Sequence, residues 1–180
     1  MAYRGKGIRM KKRIGALFLL VFCLTSAVSC KKGTDDVYAL VIALSESFGE
    51  DHGPSLMYSD KAAMGFTEVG HEALGRLYLG KWESPACASR IESFAIRLPL
   101  DDSGFEIHAL KCVNASDTDE ISGLIRRRIE RIQNAEIKNY APESYERFFV
   151  GAEVFTFGDM VFLLATPDNL SVKRMIKRGL

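Results

Sequence analysis

Apolar residues recur at helical spacing in three stretches of the chain, and each stretch begins with a residue that favours a helix start. Asp36 opens the first, Asp117 with Glu120 opens the second in the pattern of a capping box, and Asp168 opens the third. The apolar stripes are Val37, Leu40, Val41, Leu44 and Phe48; Ile121, Leu124, Ile125, Ile129 and Ile132; and Val172, Met175 and Ile176. This periodicity predicts three amphipathic helices, the second reaching about Ala135.

Two pairs of β-like stretches lie on either side of the second helix, and a turn joins the members of each pair. Arg90–Leu100 and Phe105–Val113 are joined by a polar turn that ends in glycine. Ala152–Phe157 and Met160–Ala165 are joined by Gly158-Asp159, which suits a type II′ turn. The spacing predicts two β-hairpins. Because both faces of the second are apolar, we expect it in a sheet interior or beneath helices.

The remaining stretches carry weaker signals. Residues 50–59 contain Gly53-Pro54 and are predicted to form a loop, whereas residues 62–80 are predicted to hold one or two short helices between glycines. Pro142 favours a further short helix over residues 143–149.

The order of these elements predicts an α+β fold for a single domain over residues 36–180. We expect a four-stranded, mainly antiparallel sheet built from the two hairpins (90–113 and 152–165), with helices packed on it. A domain of this length can bury a substantial core.

The first thirty residues have the three-part pattern of a secretory signal peptide. A basic patch at Lys11, Lys12 and Arg13 precedes an apolar run over residues 14–28, and small residues follow. The run is shorter than the roughly 20 residues that span a bilayer. We therefore predict a signal peptide over residues 1–29, with Met10 as an alternative translation start.

Cys30 stands directly after the predicted cleavage point. Ala27-Val28-Ser29-Cys30 resembles the lipobox of bacterial lipoproteins, although Ala27 occupies the position where Leu is usual. Lipidation of Cys30 would anchor the exported chain, through a tether over residues 30–35, to the outer face of the cytoplasmic membrane. The alternative is a secreted protein in which Cys30 is simply the first mature residue.

Removal of residues 1–29 changes the charge of the protein. The full chain has 24 basic and 23 acidic residues, a net charge of +1. Six basic residues and no acidic ones leave with the signal, so 18 basic residues remain against 23 acidic ones, a net charge of −5. A mildly acidic domain argues against a nucleic-acid binder, which needs clustered positive charge.

One local exception is an arginine cluster on the second predicted helix: Arg126, Arg127, Arg128 and Arg131. We expect these side chains on the solvated face, opposite the apolar stripe, with a patch for an anionic ligand as the alternative.

Two cysteines remain besides Cys30, because Cys23 leaves with the signal. In an oxidising compartment Cys87 and Cys112 could pair. The predicted hairpin register, however, sets Cys112 opposite Ser93, six residues from Cys87. We therefore expect two separate, partly buried thiols.

Three polar residues of the first hairpin form the candidate site. If Leu100 faces Phe105, then Arg97, Glu106 and His108 lie on one face of the two strands. Such a surface can bind a small ligand or move a proton, so these three are the candidate ligand-binding residues. For His108 alone, a solvent-facing strand histidine is the preferred interpretation, with a general base as the alternative. No residue is predicted to be catalytic.

Two other patterns lack part of the chemistry they suggest. Gly75 to Lys81 has the spacing of a P-loop, but Trp82 stands where Ser or Thr would hold magnesium. His71-Glu72 lacks the second histidine of a zinc-protease motif, and the histidines are not at metal-ligand spacing. We predict no metal and no cofactor.

Several stretches, in a fixed order, carry a family resemblance. They are Leu77-Tyr78, Arg90–Pro99, Glu106–Leu110, Asn139–Tyr145 and Gly158–Leu164. Through them the chain over about residues 36–178 resembles a family of bacterial lipoproteins of the Gram-positive type, defined by a domain of unknown function. The resemblance implies a lipid-anchored, extracytoplasmic protein and assigns no functional residue.

These observations together predict a non-catalytic binding or accessory module at the cell envelope. Its expected partners are the membrane, through a lipid at Cys30, and an envelope protein or peptide, with no nucleic acid. The alternative is a small extracytoplasmic hydrolase or thiol enzyme that uses His108 or Cys87.

Overall fold

The structure, a computed structural model, describes residues 36–49, 53–100, 104–134, 143 and 145–179. All of them belong to one compact unit of the chain, Gly33–Leu180. The predicted signal peptide, Cys30, the tether and Pro142 lie outside the described residues. No helix in the described part of the chain is long and apolar enough to cross a membrane.

The described residues form six strands and four α-helices. In chain order they are α1 (Val37–Glu46), β1 (Ser55–Ser59), β2 (Thr67–Glu68), α2 (His71–Leu74), β3 (Ile91–Pro99), β4 (Glu106–Cys112), α3 (Thr118–Asn134), β5 (Glu153–Phe157), β6 (Met160–Ala165) and α4 (Asn169–Arg178). Wide π-helical turns occur at Gly75–Leu79 and Tyr145–Phe149, and single 3₁₀ turns at Ala88–Arg90 and Ala115–Asp117.

The strands form one mixed sheet in the order β2-β1-β3-β4-β6-β5. β1 and β2 run parallel, and every other neighbouring pair is antiparallel. The predicted α+β class and both predicted hairpins, β3–β4 and β5–β6, are confirmed, but the predicted four-stranded sheet is wrong. β1 forms in a stretch predicted to be a loop because it pairs along its whole length with β3, a contact that the local sequence does not signal.

The predicted helices agree closely with the structure. The Asp36 carboxylate caps α1 by accepting the Tyr38 N–H at 2.9 Å, and Asp168 caps α4 by accepting the Ser171 N–H at 2.9 Å. The entire predicted stripe of α3 is buried. In residues 62–80 the expected short helices are α2 and the π turn Gly75–Leu79 that continues it.

Helices cover both faces of the sheet. α1 and α4 pack on one face, where Phe48, just beyond α1, contacts Phe105 edge to face at 5.4 Å. α3 and the π turn Gly75–Leu79 pack on the other face, which carries Glu106 and His108 of β4. The two faces therefore bury different sets of β4 side chains. The register of β3 against β4 decides which β3 side chains share a face with Glu106 and His108.

That register differs by one residue from the prediction. Ile96 pairs with His108 and Arg97 with Ile107, so the predicted pairing of Leu100 with Phe105 is wrong. The observed register extrapolates to place Gly104 opposite Leu100. Gly104, which precedes β4, has a positive φ of +70°. A one-residue change exchanges the two faces of one strand relative to the other.

The register of the second hairpin is confirmed. Phe155 pairs with Phe162 and Val154 with Leu163, and Gly158 has the positive φ (+62°) that its tight turn needs. β6 lies inside the sheet and is buried along its length, as expected, whereas β5 is an edge strand and leaves Phe157 42% exposed.

Candidate functional site

The predicted set of Arg97, Glu106 and His108 does not form one site. Arg97 lies on the α1 side of the sheet, where its guanidinium donates to the Phe105 carbonyl oxygen at 3.0 Å and lies over the Phe105 ring at 4.2 Å. Glu106 and His108 point to the opposite face, beneath α3. The prediction that the three gather on one polar face is wrong because of the shifted register.

Glu106 and His108 instead belong to a buried network with two residues that the sequence did not link to them. Arg128 of α3 donates to both carboxylate oxygens of Glu106: its Nε donates to Oε2 at 2.8 Å, and its Nη2 donates to Oε1. His108 Nε2 lies 3.1 Å from Glu106 Oε2, and the Tyr78 hydroxyl lies 2.9 Å from His108 Nδ1. Tyr78, His108, Glu106 and Arg128 are called the buried network below.

Arg128 corrects a second expectation. It was predicted on the solvated face of α3, yet only 15% of its side chain is exposed. The sequence did contain a signal, because Arg128 follows Leu124 by four residues and Ile125 by three. It therefore falls within the apolar stripe. The neighbouring Arg127 is exposed, as predicted.

The charges and protons of the network follow from its burial. Burial alone would raise the pKa of Glu106, but Arg128 and the contacts with His108 outweigh it and lower that pKa to about 2. Burial lowers the pKa of His108 and raises that of Tyr78. We therefore assign an ionised Glu106, a neutral His108 and a phenol at Tyr78 that donates to His108 Nδ1, which leaves the ring proton on Nε2.

The contact between His108 and Glu106 is imperfect. The distance of 3.1 Å suits a hydrogen bond, but the ring N–H points obliquely at the carboxylate. Among the described side chains, His108 Nε2 is the buried polar atom left without a hydrogen bond. We treat the contact as an electrostatic one, because the direction of the N–H governs hydrogen-bond strength.

The network is closed to solvent. His108 and Tyr78 are fully buried, and Glu106 nearly so. General acid–base catalysis requires hydrogen-bond reach to a substrate, which these atoms lack in this conformation. What the network does is hold the π turn against α3, since Arg128 and Arg131 both donate to the Leu77 carbonyl oxygen, at 3.3 and 3.1 Å.

The two thiols are unpaired, as predicted, and more deeply buried than expected. Cys112 lies opposite Ile91 and not Ser93, because the β3–β4 register differs by one residue from the prediction and shifts by one more between Ile91 and Ser93. Burial raises the pKa of Cys87, and it raises that of Cys112 to about 11, with nearby carboxylates adding to the effect. Both thiols are therefore protonated at neutral pH, which makes them poor nucleophiles.

The described residues contain no cluster of histidine, cysteine or acidic side chains that could hold a metal ion. His71 lies at the start of α2 with its ring 6.0 Å from that of Phe94.

A cleft that the sequence did not predict lies between the sheet and the α2 segment. Its volume is about 460 Å³. Tyr58 of β1 with Ile96 and Leu98 of β3 form its floor, and Leu74 and Leu77 form its wall. These residues make the cleft mainly apolar. The same π turn that gives Leu77 to the cleft gives Tyr78 to the buried network.

The rim of the cleft is aromatic and charged. Trp82, the single tryptophan of the chain, is 72% exposed there. Arg76 lies over the Trp82 ring at 6.0 Å and donates to the Gly80 carbonyl oxygen at 3.3 Å. Glu68 and Glu72 complete the rim.

A second hollow of about 530 Å³ lies beside α3, between Leu79 and the side chains of Arg127 and Arg131. It is a shallow depression open to solvent, and it lacks the apolar floor of the cleft. The cleft is therefore the better candidate for a binding site.

Comparisons of the chain with protein-family models, with curated proteins and with solved structures found no match. The resemblance to a lipoprotein family stays a prediction, and the site is interpreted from its own geometry.

Proposed function

We propose that the protein is an exported, membrane-anchored binding module that takes a small, mainly apolar ligand in the cleft. The observation that carries the proposal is the cleft itself. Its volume of about 460 Å³ falls within the range of small-molecule sites, roughly 300–1,000 Å³. A ligand that covers its apolar floor and wall would remove that surface from water, which lowers the free energy of the complex.

Two further observations support binding over catalysis. The acid–base groups of the buried network are shut off from solvent, and the thiols of Cys87 and Cys112 are buried and protonated. A hydrolase or thiol enzyme would need such a group exposed to its substrate. An envelope protein or peptide stays a predicted additional partner.

The anchoring part of the proposal rests on the sequence from Lys11 to Cys30. Five residues separate Cys30 from Asp36, so a lipid on Cys30 would hold the start of α1 within about 20 Å of the membrane surface. A ligand that reaches the cleft would then come from the membrane surface or the space next to it.

Trp82 provides a direct test of binding. The full chain, held in phosphatidylcholine vesicles with empty vesicles as the blank, is titrated with hexan-1-ol while Trp82 emission is recorded. We expect a saturable shift to shorter wavelength, because a ligand in the cleft removes water from the indole ring. Ala73→Phe fills the cleft from α2 and should abolish the saturable change.

Ala115→Phe is the matched control, because Ala115 is exposed and outside the cleft lining. It should bind as the unmodified chain does. A shift that does not saturate, or one that Ala73→Phe leaves intact, would contradict the proposal.

A further inference from the structure

The charges on the cleft rim indicate what kind of ligand the cleft takes, an inference that rests on the proposed function. Glu68 at the end of β2 and Glu72 in α2 both line the cleft and are both exposed. Neither takes part in a salt bridge with a described residue, whereas nearby Glu83 pairs with Lys81 at 3.6 Å. The carboxylates are thus free to meet a ligand.

The Glu72 carboxylate lies against Gly70. A side chain at Gly70 would lie 2.2 Å from Glu72 Oε2, so the absence of a β-carbon at residue 70 makes room for this carboxylate. Gly70 precedes α2, and Glu68 lies two residues before it in the chain. The two carboxylates therefore flank the same short stretch of the rim.

Arg76, the single basic residue among the described residues that line the cleft, does not cancel these charges. Arg76 is engaged by the face of Trp82 and by the Gly80 carbonyl oxygen. Two carboxylates against one guanidinium leave the rim negative. The position of Arg76 also shows that the indole face accepts a cation, as expected from the negative face of an aromatic ring.

The cleft thus combines an apolar floor with a rim that attracts positive charge. We infer that its ligand is a small organic cation, an apolar chain or ring that carries an ammonium group. The apolar part lies on Tyr58, Ile96 and Leu98, and the ammonium group lies at the carboxylates of Glu68 and Glu72. Charge complementarity selects this ligand over an acid of the same size.

Three probes with one hexyl chain test the inference: hexyltrimethylammonium, hexan-1-ol and hexane-1-sulfonate. Each is titrated against the full chain in phosphatidylcholine vesicles, with Trp82 emission as the readout. We expect the cation to bind roughly tenfold more tightly than the alcohol, from the combined effect of two exposed ion pairs. The sulfonate should bind most weakly.

Glu68→Gln with Glu72→Gln should remove the advantage of the cation and leave the affinity for hexan-1-ol unchanged. Glu83→Gln, which neutralises a neighbouring carboxylate outside the cleft lining, should change neither affinity. Equal affinities for cation and alcohol, both lost in Ala73→Phe, would overturn the inference and leave the proposed function standing. Tightest binding of the sulfonate would overturn the inference as well. Failure of all three probes to saturate would overturn both.

Discussion

At the scale of single residues, Arg128 has the largest energetic role in the buried network. It neutralises Glu106, whose carboxylate is almost fully buried, and it also donates to the Leu77 carbonyl oxygen in the cleft wall. A buried carboxylate without its partner is strongly unfavourable, because the interior does not solvate the charge as water does. The residue that secures the core therefore also secures the wall of the binding site.

Replacing Arg128 by methionine should lower the free energy of unfolding by about 3 kcal/mol at neutral pH, because it leaves Glu106 buried and unpaired. Urea unfolding measures the change. Arg127→Met is the control, and since Arg127 is exposed, its effect should stay within about 0.5 kcal/mol. Equal effects of the two substitutions would contradict the role assigned to Arg128.

The stability of the unmodified chain and that of Arg128→Met should depend differently on pH. In the unmodified chain the pKa of Glu106 is about 2, below its ordinary 4.5, so its stabilising contribution is complete above pH 4.5 and is lost as pH falls towards 2. The pKa of His108 is also lowered, so loss begins earlier, as the unfolded histidine takes up a proton near its ordinary pKa of 6.5.

Without Arg128, burial should raise the pKa of Glu106, so the cost of Arg128→Met should shrink as pH falls and the carboxylate becomes neutral. Unfolding free energies from about pH 7 to about pH 4 check this. A cost that is the same across that range would rule out the charge of Glu106 as its cause.

At the scale of elements, the π turn Gly75–Leu79 connects the cleft to the core. Its three successive residues have different surroundings: Leu77 lines the cleft, Tyr78 joins the buried network and Leu79 lines the hollow beside α3. Its start is fixed by close packing, because a β-carbon at Gly75 would lie 1.7 Å from the Glu83 carbonyl oxygen. That backbone belongs to the segment that carries Trp82.

Gly75→Ala should therefore displace residues 81–83, lower stability by about 1–3 kcal/mol and change the Trp82 environment. Urea unfolding and acrylamide quenching of Trp82 measure the two effects. Gly123→Ala is the matched control, since a β-carbon at Gly123 on α3 meets nothing within 4 Å and alanine favours a helix by roughly 1 kcal/mol. If both variants were stabilised, the packing argument for Gly75 would be wrong.

The sequence predicted those elements whose signals are local. Asp36 and Asp168 mark helix starts through side-chain capping, and Gly158-Asp159 marks a tight turn, so the helices and both hairpins were found. β1 was missed because its partner, β3, lies far along the chain. The prediction that Arg97, Glu106 and His108 share one face is wrong because the register differs by one residue, and the local sequence does not fix that register. The cleft depends on β1 and could not be predicted without it.

At the scale of the whole molecule, the proposal joins a folded domain to a lipid anchor. Cys30 lies outside the described residues, and the proposal gives it a role in anchoring, which should be separable from folding. Cys87 and Cys112, by contrast, are part of the hydrophobic core and contribute to folding and not to anchoring. Substituting Cys30 should therefore affect membrane attachment, whereas substituting Cys87 or Cys112 should affect stability.

If Cys30 carries a lipid as proposed, Cys30→Ala should release most of the protein from the membrane fraction, because acyl chains contribute about 0.8 kcal/mol per buried CH₂ group to attachment. Membrane fractionation and mass spectrometry for the lipid measure the outcome. Cys87→Ala, the control, should keep the protein on the membrane while lowering its stability. Retention of Cys30→Ala at the level of the unmodified protein would count against lipidation.

The π turn also limits how this protein can change over evolutionary time. A π-helical turn holds one residue more than an α-helical turn. Deleting one residue from Gly75–Leu79 would rotate every later side chain of the turn by about 100° and withdraw Tyr78 from His108. Homologous sequences should therefore keep the length of this segment constant.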